Sequence, residues 1–185
     1  GTVGQQLTPV QPVTASGGTK PYAYALSAAL PSGLEFSPST GVLSGTPVAD
    51  AENVSVTVTV TDAAGQSAQA GFTITIAAPA ITLSPESLPD GKTDEAYSAA
   101  IVATGGTAPY RYAVTDGALP AGLNLAADGA ITGQPVDGGS FDFSVTVTDS
   151  SSGTGPFSAT RAYRITVALP PPEVLPVPEQ VAASA

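Results

Sequence analysis

One long stretch of this sequence occurs twice, and that internal repeat limits the fold more than any other feature. Residues 16–47 read SGGTKPYAYALSAALPSGLEFSPSTGVLSGTP, and residues 104–135 read TGGTAPYRYAVTDGALPAGLNLAADGAITGQP. The match continues as NVSVTVTVTDAAG at residues 53–65 and SFDFSVTVTDSSSG at residues 140–153. A unit of about 90 residues is longer than a solenoid repeat and close to a small all-β domain. The sequence therefore predicts two copies of one domain.

Apolar and polar residues alternate inside each unit. Residues 53–61, 72–76 and 141–148 alternate valine, isoleucine or phenylalanine with mostly serine or threonine. This period of two is typical of strands with one buried face and one solvated face, as in antiparallel sheets. For the second unit we expect about seven strands. They lie near Ile81–Leu83, Tyr97–Ala103, Tyr110–Val114, Leu123–Leu125, Ala130–Thr132, Phe141–Thr148 and Tyr163–Val167.

Seven short strands separated by turn residues favour a two-sheet sandwich of immunoglobulin type, with a small barrel as the alternative. We expect an all-β fold of two tandem immunoglobulin-like β-sandwiches: domain 1 over residues 1–77 and domain 2 over residues 80–168. Residues 169–185 are rich in proline, which predicts an extended linker or tail. Gly1 is not an initiator residue, so we expect the chain to be part of a longer protein.

Domain 1 begins late relative to domain 2. Residues 1–4 align with residues 91–94, so the segment Ile81–Ser84 has no counterpart in domain 1. Domain 1 is therefore expected to lack its first strand and to have an open edge, which invites strand addition. Val174, Leu175 and Val177 of another copy could fill this position by strand donation. The competing interpretation, which we favour, is that this tail links domain 2 to a further domain.

Several motifs shared by the two units resemble those of a known family. They are GG-T-x-P-Y-x-Y, LPxGL, G-x-[LI]-[ST]-G-x-P, VTVTD and a closing [FY]-x-I-T-[VI] strand. Together they resemble the immunoglobulin-like repeat of bacterial surface proteins, which is similar to cadherin-like, dystroglycan-type domains. The resemblance covers both units and leaves out the proline-rich tail. It implies an extracellular or cell-surface setting in bacteria, where such modules serve as spacers or binding modules in adhesins and multidomain enzymes.

Composition excludes several functional classes. The chain has no Cys, Met, Trp or His, so it has neither a thiol nucleophile nor an imidazole base, and we expect no enzyme activity and no catalytic residues. Five basic residues against fifteen acidic ones give a net charge of −10, which disfavours nucleic acids and anionic membranes as partners. No apolar run is long enough to insert into a membrane.

Calcium is the one cofactor that the acidic residues suggest. Asp62 and Asp149 end the two VTVTD strands, where cadherin-like relatives place calcium-binding acids, and Asp90, Asp94 and Glu95 follow the joint between the domains. Calcium requires six to eight oxygen ligands. The competing interpretation, which we favour, is that Asp62 and Asp149 open hairpin turns by accepting hydrogen bonds from nearby backbone N–H groups. We therefore expect no cofactor, with calcium as the alternative.

Two tyrosines are candidates for ligand binding. Tyr24 and Tyr112 occupy the same position in the two units and could form a sugar-binding platform. Core packing and a hydrogen bond from a phenol to a turn explain the repeated tyrosines at least as well, and we favour this structural interpretation.

The expected function is that of a spacer module in a large bacterial surface or secreted protein, such as an adhesin stalk. Its partners would be the neighbouring domains of the same parent chain. One alternative is an adhesion module that binds a host or matrix glycan or protein. The other is a subunit that assembles with other copies of itself by strand donation from the tail.

Overall fold

The computed structural model describes residues 1–172, and the regular elements in this part of the chain are all strands. Domain 1 contains β1 (Leu7–Val10), β2 (Ala23–Leu26), β3 (Leu34–Phe36), β4 (Leu43–Gly45), β5 (Ala51–Thr61) and β6 (Ser67–Ile76). Domain 2 contains β7 (Thr82–Ser84), β8 (Gly91–Lys92), β9 (Tyr97–Ala100), β10 (Val102–Thr104), β11 (Arg111–Gly117), β12 (Leu123–Leu125), β13 (Ala130–Gly133), β14 (Gly139–Thr148) and β15 (Ser158–Ala168). The all-β prediction is confirmed.

Domain 1 is a sandwich of two antiparallel sheets. One sheet has the strand order β1-β4-β3 and the other has the order β2-β5-β6. Leu34 and Leu43 of the first sheet and Val56 and Ile74 of the second belong to one buried cluster. The alternating valines of β5 therefore face inward because the burial of their side chains between the sheets stabilises the fold.

Domain 2 repeats this architecture with additional strands. One sheet has the order β12-β13-β9, the other has the order β11-β14-β15-β8, and β10 pairs with β7 in a two-stranded ladder. Ile131, Val145 and Ile165 are completely buried between the sheets. β14 and β15 form a long hairpin whose register runs from Gly139↔Val167 to Thr148↔Ser158.

The prediction of a single strand over Tyr97–Ala103 is wrong in one respect: the segment forms two strands, β9 and β10, separated at Ile101. β9 pairs with β13, whereas β10 pairs with β7, so the chain changes its partner strand at this point. The Ile101 N–H donates to the carbonyl of Gly129 at 2.9 Å, which continues the pairing of β9 with β13 by one residue before the chain turns to β7. Alternation of side chains continues through such a crossing, which is why the sequence pattern does not reveal it.

Two further elements differ from the sequence-based expectation. β8 was not predicted, and it runs parallel to the end of β15 with Gly91 opposite Val167. Its counterpart in domain 1 is the parallel bridge between Thr2 and Ala77. β15 begins at Ser158, five residues before the predicted start, because β14 continues as its antiparallel partner to Thr148.

The expectation that domain 1 lacks its first strand is confirmed for the described residues. No strand within residues 1–77 corresponds to β7, and the first pairing in these residues is the bridge of Thr2 with Ala77. The predicted strand donors Val174, Leu175 and Val177 lie outside the described residues.

Candidate functional site

Asp149 organises the loop that follows β14. Its carboxylate accepts hydrogen bonds from the backbone N–H groups of Thr107 at 3.0 Å, Ser151 at 3.2 Å and Phe157 at 2.8 Å, and from the Ser151 hydroxyl. Only 5% of the Asp149 surface is exposed. These bonds tie the loop of residues 150–157 to the turn at residues 105–107.

The carboxyl of Asp149 is held in its ionised form. Burial by itself would raise its pKa, but the bonds donated by the Ser151 hydroxyl and by the N–H groups of Thr107, Phe157 and Ser151 outweigh burial. The pKa of Asp149 therefore lies below its usual value. Since the charged form makes these bonds, ionisation of Asp149 and order in the loop stabilise each other.

Asp62 organises the equivalent, shorter turn in domain 1. Its carboxylate accepts from the N–H groups of Thr19 at 2.9 Å, Ala64 at 3.0 Å and Gln66 at 2.8 Å. The bond from Thr19, followed by that from Gln66, lowers the pKa of Asp62 against an opposing effect of desolvation. The favoured interpretation of both aspartates as turn-forming residues agrees with this geometry.

The two turns differ in length, and the longer one reaches the neighbouring domain. Asp62 N–H donates to the carbonyl of Gln66, whereas Asp149 N–H donates to the carbonyl of Phe157, so domain 2 has the larger loop. Thr154 in this loop accepts a hydrogen bond from the Asp50 N–H of domain 1 at 3.1 Å. We call this contact region the junction: Gly4 and residues 47–50 of domain 1, with Thr107 and residues 149–157 of domain 2.

Glycine is required at the centre of the junction. Gly153 has φ +74°, and a Cβ atom there would lie 2.3 Å from the carbonyl oxygen of Val48. Gly4 of domain 1 has φ +77°, and a Cβ atom there would lie 2.9 Å from Oγ1 of Thr107. Gly153 therefore lies close to the backbone of domain 1, and Gly4 lies close to the Thr107 side chain of domain 2, which leaves little space for movement between the domains.

An aromatic side chain adds an apolar contact. Phe157 precedes β15 in domain 2, yet its ring packs against the buried cluster of domain 1 that includes Val3 and Ile76. Burial of this ring links the stability of the two domains. The junction thus combines a hydrogen bond, close contacts at two glycines and an apolar side chain.

The acidic residues predicted as a calcium alternative do not come together as one set. Within residues 1–172, no group of three or more acidic side chains is placed so that it could hold a metal ion. Glu95 pairs with Lys92 at 3.2 Å. Burial, and then the charge of Asp90, raises the pKa of the nearby Tyr97 phenol. Asp94 has φ +60°, which places it in the left-handed region that Asp tolerates.

The two candidate ligand-binding tyrosines are engaged inside their domains. Tyr24 is only 7% exposed, and its hydroxyl lies 3.4 Å from the Gln11 side-chain nitrogen. Tyr112 is half-buried, and its hydroxyl accepts a hydrogen bond from the Ala103 N–H at 2.7 Å. Their neighbours Tyr22 and Tyr110 donate to the carbonyls of Gly17 at 2.5 Å and Gly105 at 2.6 Å. A sugar-binding role for Tyr24 and Tyr112 stays a prediction, and this geometry favours the structural interpretation.

A family model accounts for nearly the whole described chain. The model described as "Putative Ig domain" matches residues 1–77 and, a second time, residues 79–168. The chain belongs to this Ig domain family. No helix among residues 1–172 is long and apolar enough to span a membrane.

Solved structures similar to this tandem Ig-domain chain include cadherin repeats. Human protocadherin-24 EC1-2 aligns over 82% of this chain and 83% of its own, at 14% identity and a TM-score of 0.41. Mouse cadherin-23 EC22-24 aligns over 80% and 53%, at 18% identity and 0.40. Drosophila N-cadherin EC1-4 aligns over 80% and 41%, at 19% identity and 0.38. The chain thus spans less than two thirds of the last two, and these low scores support no functional conclusion. No curated protein matches the sequence.

Sequence reasoning missed the junction, although a signal for it was present. The segment between Asp149 and Ser158 is longer than the segment between Asp62 and Ser67, which indicates an insertion in one hairpin of a repeated domain. An insertion rich in Gly and Ser is usually treated as surface loop. Only the packing of Ig domain 2 against Ig domain 1 shows where the inserted residues lie.

Proposed function

We propose that this tandem pair of Ig domains is a non-enzymatic spacer module in an extracellular or cell-surface bacterial protein, of the kind that forms an adhesin stalk. Its partners are the neighbouring domains of the same parent chain. A spacer transmits position, so its domains must hold a fixed orientation. The observation that carries the proposal is the junction, where Gly153, Thr154 and Phe157 of domain 2 contact domain 1.

Composition supports the same role. The surface strands carry many hydroxyl side chains, and the net charge of −10 disfavours aggregation of a protein exposed to the medium. The absence of His and Cys removes the residues that most often act as bases and nucleophiles. A rigid, soluble and chemically inert pair of domains is suited to separating functional domains in space.

The distance between the domains tests this proposal. The chain has no Cys, so Thr73→Cys and Thr166→Cys introduce two spin labels on exposed positions of β6 and β15. Pulsed electron paramagnetic resonance should give one narrow distance distribution. A broad distribution in the labelled chain would contradict a spacer with fixed orientation.

Two glycine variants show whether the junction is responsible. Gly153→Ala introduces a Cβ atom that clashes with the Val48 carbonyl and should broaden the distribution. Gly65→Ala is the matched control, because Gly65 has a similar φ of +81° but nothing within 4 Å of the added Cβ. Equal broadening by both variants would mean that backbone strain in a turn, and not the junction, determines the orientation.

A further inference from the structure

The chain contains four aspartates that are followed directly by glycine, which is the sequence most prone to isomerisation of aspartate. They are Asp90–Gly91, Asp116–Gly117, Asp128–Gly129 and Asp137–Gly138. In this reaction the backbone nitrogen of the glycine attacks the side-chain carboxyl of the aspartate, and glycine has no side chain to hinder the approach. Asn53 and Asn124 are less reactive candidates, because each precedes a bulky Val or Leu side chain.

Two of the pairs are tied to a strand ladder. Gly91 is buried in β8 opposite Val167 of β15. Asp116 and Gly117 both lie in β11 and pair with β14. A paired backbone must first open before it can rotate and bring the glycine nitrogen to the carboxyl carbon. The folded state therefore protects these two pairs.

In a third pair, both reacting groups are already engaged. The Gly129 N–H donates to the carbonyl of Ala126 at 3.0 Å, and the Asp128 carboxylate accepts a hydrogen bond from the Ala130 N–H at 3.1 Å. A Cβ atom on Gly129 would lie 2.2 Å from the carbonyl oxygen of Ile101, so the backbone is also closely packed at this turn. Attack by the Gly129 nitrogen would first require these contacts to break.

Asp137–Gly138 has none of these restraints. Asp137 is exposed, and both residues lie outside the strands, between β13 and β14. Within residues 1–172, the Asp137 carboxylate accepts no hydrogen bond and the Gly138 N–H donates none. Gly139 follows with φ +143°, so two successive glycines give this segment a freedom of rotation that the other three pairs lack.

We infer that Asp137 is a site of spontaneous isomerisation to isoaspartate. The nitrogen of Gly138 forms a bond to Cγ of the Asp137 carboxylic acid, and one carboxyl oxygen leaves as water with the acid proton and the N–H proton. A second water then opens the succinimide ring between the nitrogen and the α-carbonyl carbon of Asp137. The main chain now continues through Cβ and Cγ, and a free α-carboxylate remains. The reaction requires no enzyme, oxidant or reductant.

The modified link should loosen one end of the β14–β15 hairpin. β14 begins at Gly139, which pairs with Val167 of β15. Isoaspartate adds one methylene group to the main chain shortly before this pair, so the first pairs of the ladder lose their register. Hydrogen exchange should therefore become faster at Gly139–Phe141 and stay unchanged at Thr146–Thr148, near the other end of the hairpin.

Ageing of the folded 185-residue chain in neutral buffer at physiological temperature tests the inference. Trypsin cleaves after Arg111 and Arg161, and the peptide of residues 112–161 contains three of the four pairs. Electron-transfer fragmentation locates isoaspartate within this peptide, and labelling by isoaspartyl methyltransferase measures its amount. Isoaspartate should accumulate at Asp137 several-fold faster than at the other two pairs, and faster than in the peptide that ends at Lys92.

Ageing in guanidinium chloride separates the effect of the fold from that of the local sequence. In the unfolded chain all four pairs lose their restraints and should react at similar rates. A folded chain with no isoaspartate at Asp137, or with the same pattern as the unfolded chain, would overturn the inference.

Substitutions test the chemistry at this position. Asp137→Glu should abolish the modification there, because glutamate would have to close a less favourable six-membered ring. Asp128→Glu is the matched control and should leave isoaspartate formation at Asp137 unchanged. Asp137→Asn should give isoaspartate faster than the parent, over days, because ammonia leaves the ring-forming intermediate more readily than water. Methyltransferase labelling of residue 137 that persists in Asp137→Glu would contradict the proposed ring closure.

Discussion

At the scale of single residues, the repeated tyrosines have unequal roles. Tyr112 and Tyr24 stand at the same position of the two domains. The hydroxyl of Tyr112 satisfies the Ala103 N–H at 2.7 Å, whereas that of Tyr24 has a long contact of 3.4 Å with Gln11. The difference arises because Ala103 belongs to β10, which domain 1 does not form. A substitution that removes only the hydroxyl can measure it.

We expect Tyr112→Phe to lower the free energy of unfolding of domain 2 by about 1–2 kcal/mol, because the Ala103 N–H loses its partner in a part-buried place. Tyr24→Phe should change the stability of domain 1 by much less. Urea denaturation followed by circular dichroism gives both values. Equal losses would mean that the two hydroxyls make equivalent contacts.

Asp149 gives the molecule a defined sensitivity to acid. Its pKa is lower in the folded state than the value of about 3.9 for an unfolded chain. The folded state therefore binds fewer protons, so the stabilisation is fully present above that value and is lost as the pH falls through the folded pKa. Asp149→Asn should lower stability at neutral pH and flatten the dependence of stability on pH below about pH 4.

Urea denaturation at a series of pH values checks this expectation. Asp137→Asn makes the same change of charge at an exposed position and should leave both the stability and its pH dependence nearly unchanged. If Asp149→Asn showed the parent's full loss of stability in acid, the hydrogen bonds to its carboxylate would not be the source of the acid sensitivity.

At the scale of elements, the presence or absence of β7 determines how well a shared core position is buried. Val147 in β14 and Val60 in β5 are the same residue type at equivalent positions, yet only Val147 is completely buried. The strand pattern that places both valines is local and can be read from the sequence. Val147 shares a buried cluster with Leu83 of β7, a strand that is distant along the chain.

Val147→Ala should therefore lower the free energy of unfolding of domain 2 by about 2–3 kcal/mol, because it removes fully buried methyl groups and leaves a cavity. Val60→Ala should have less than half that effect on domain 1, because Val60 is only half-buried. Hydrogen exchange resolved by domain provides the measurement. Equal losses would show that Val60 and Val147 are equally well packed.

At the scale of the whole molecule, the junction couples two domains that the repeat alone would make independent. Phe157 lies in domain 2 by sequence and packs against the core of domain 1. Phe157→Ala should lower the stability of domain 1 by about 1–3 kcal/mol, less than for a fully buried ring because Phe157 is half-buried. Faster hydrogen exchange in β5 and β6 would report this loss.

Phe141→Ala is the comparison, because this half-buried ring packs against the core of domain 2. It should accelerate exchange in β14 and β15 and leave β5 and β6 unaffected. If Phe157→Ala also left domain 1 unaffected, the domains would be energetically independent and the junction would not couple them.

The sequence by itself determined the repeat, the all-β class, the inward face of each long strand and the lack of a counterpart of β7 within residues 1–77. These features depend on period-two alternation and on matching motifs, which are local properties of the chain. The sequence also indicated turns at Asp62 and Asp149, because an aspartate at the end of a strand is expected to accept hydrogen bonds from nearby backbone N–H groups.

Only the tertiary structure decided how these parts meet. Four features depend on residues that are far apart in the sequence. They are the change of partner strand at Ile101, the parallel pairing of β8, the contact of Gly153 with Val48, and the unequal burial of Val60 and Val147. Alternation specifies which face of a strand is apolar, but the pattern is the same whichever strand covers that face. Which strands pair, and which strand covers an apolar face, depend on long-range packing that a local sequence pattern does not encode.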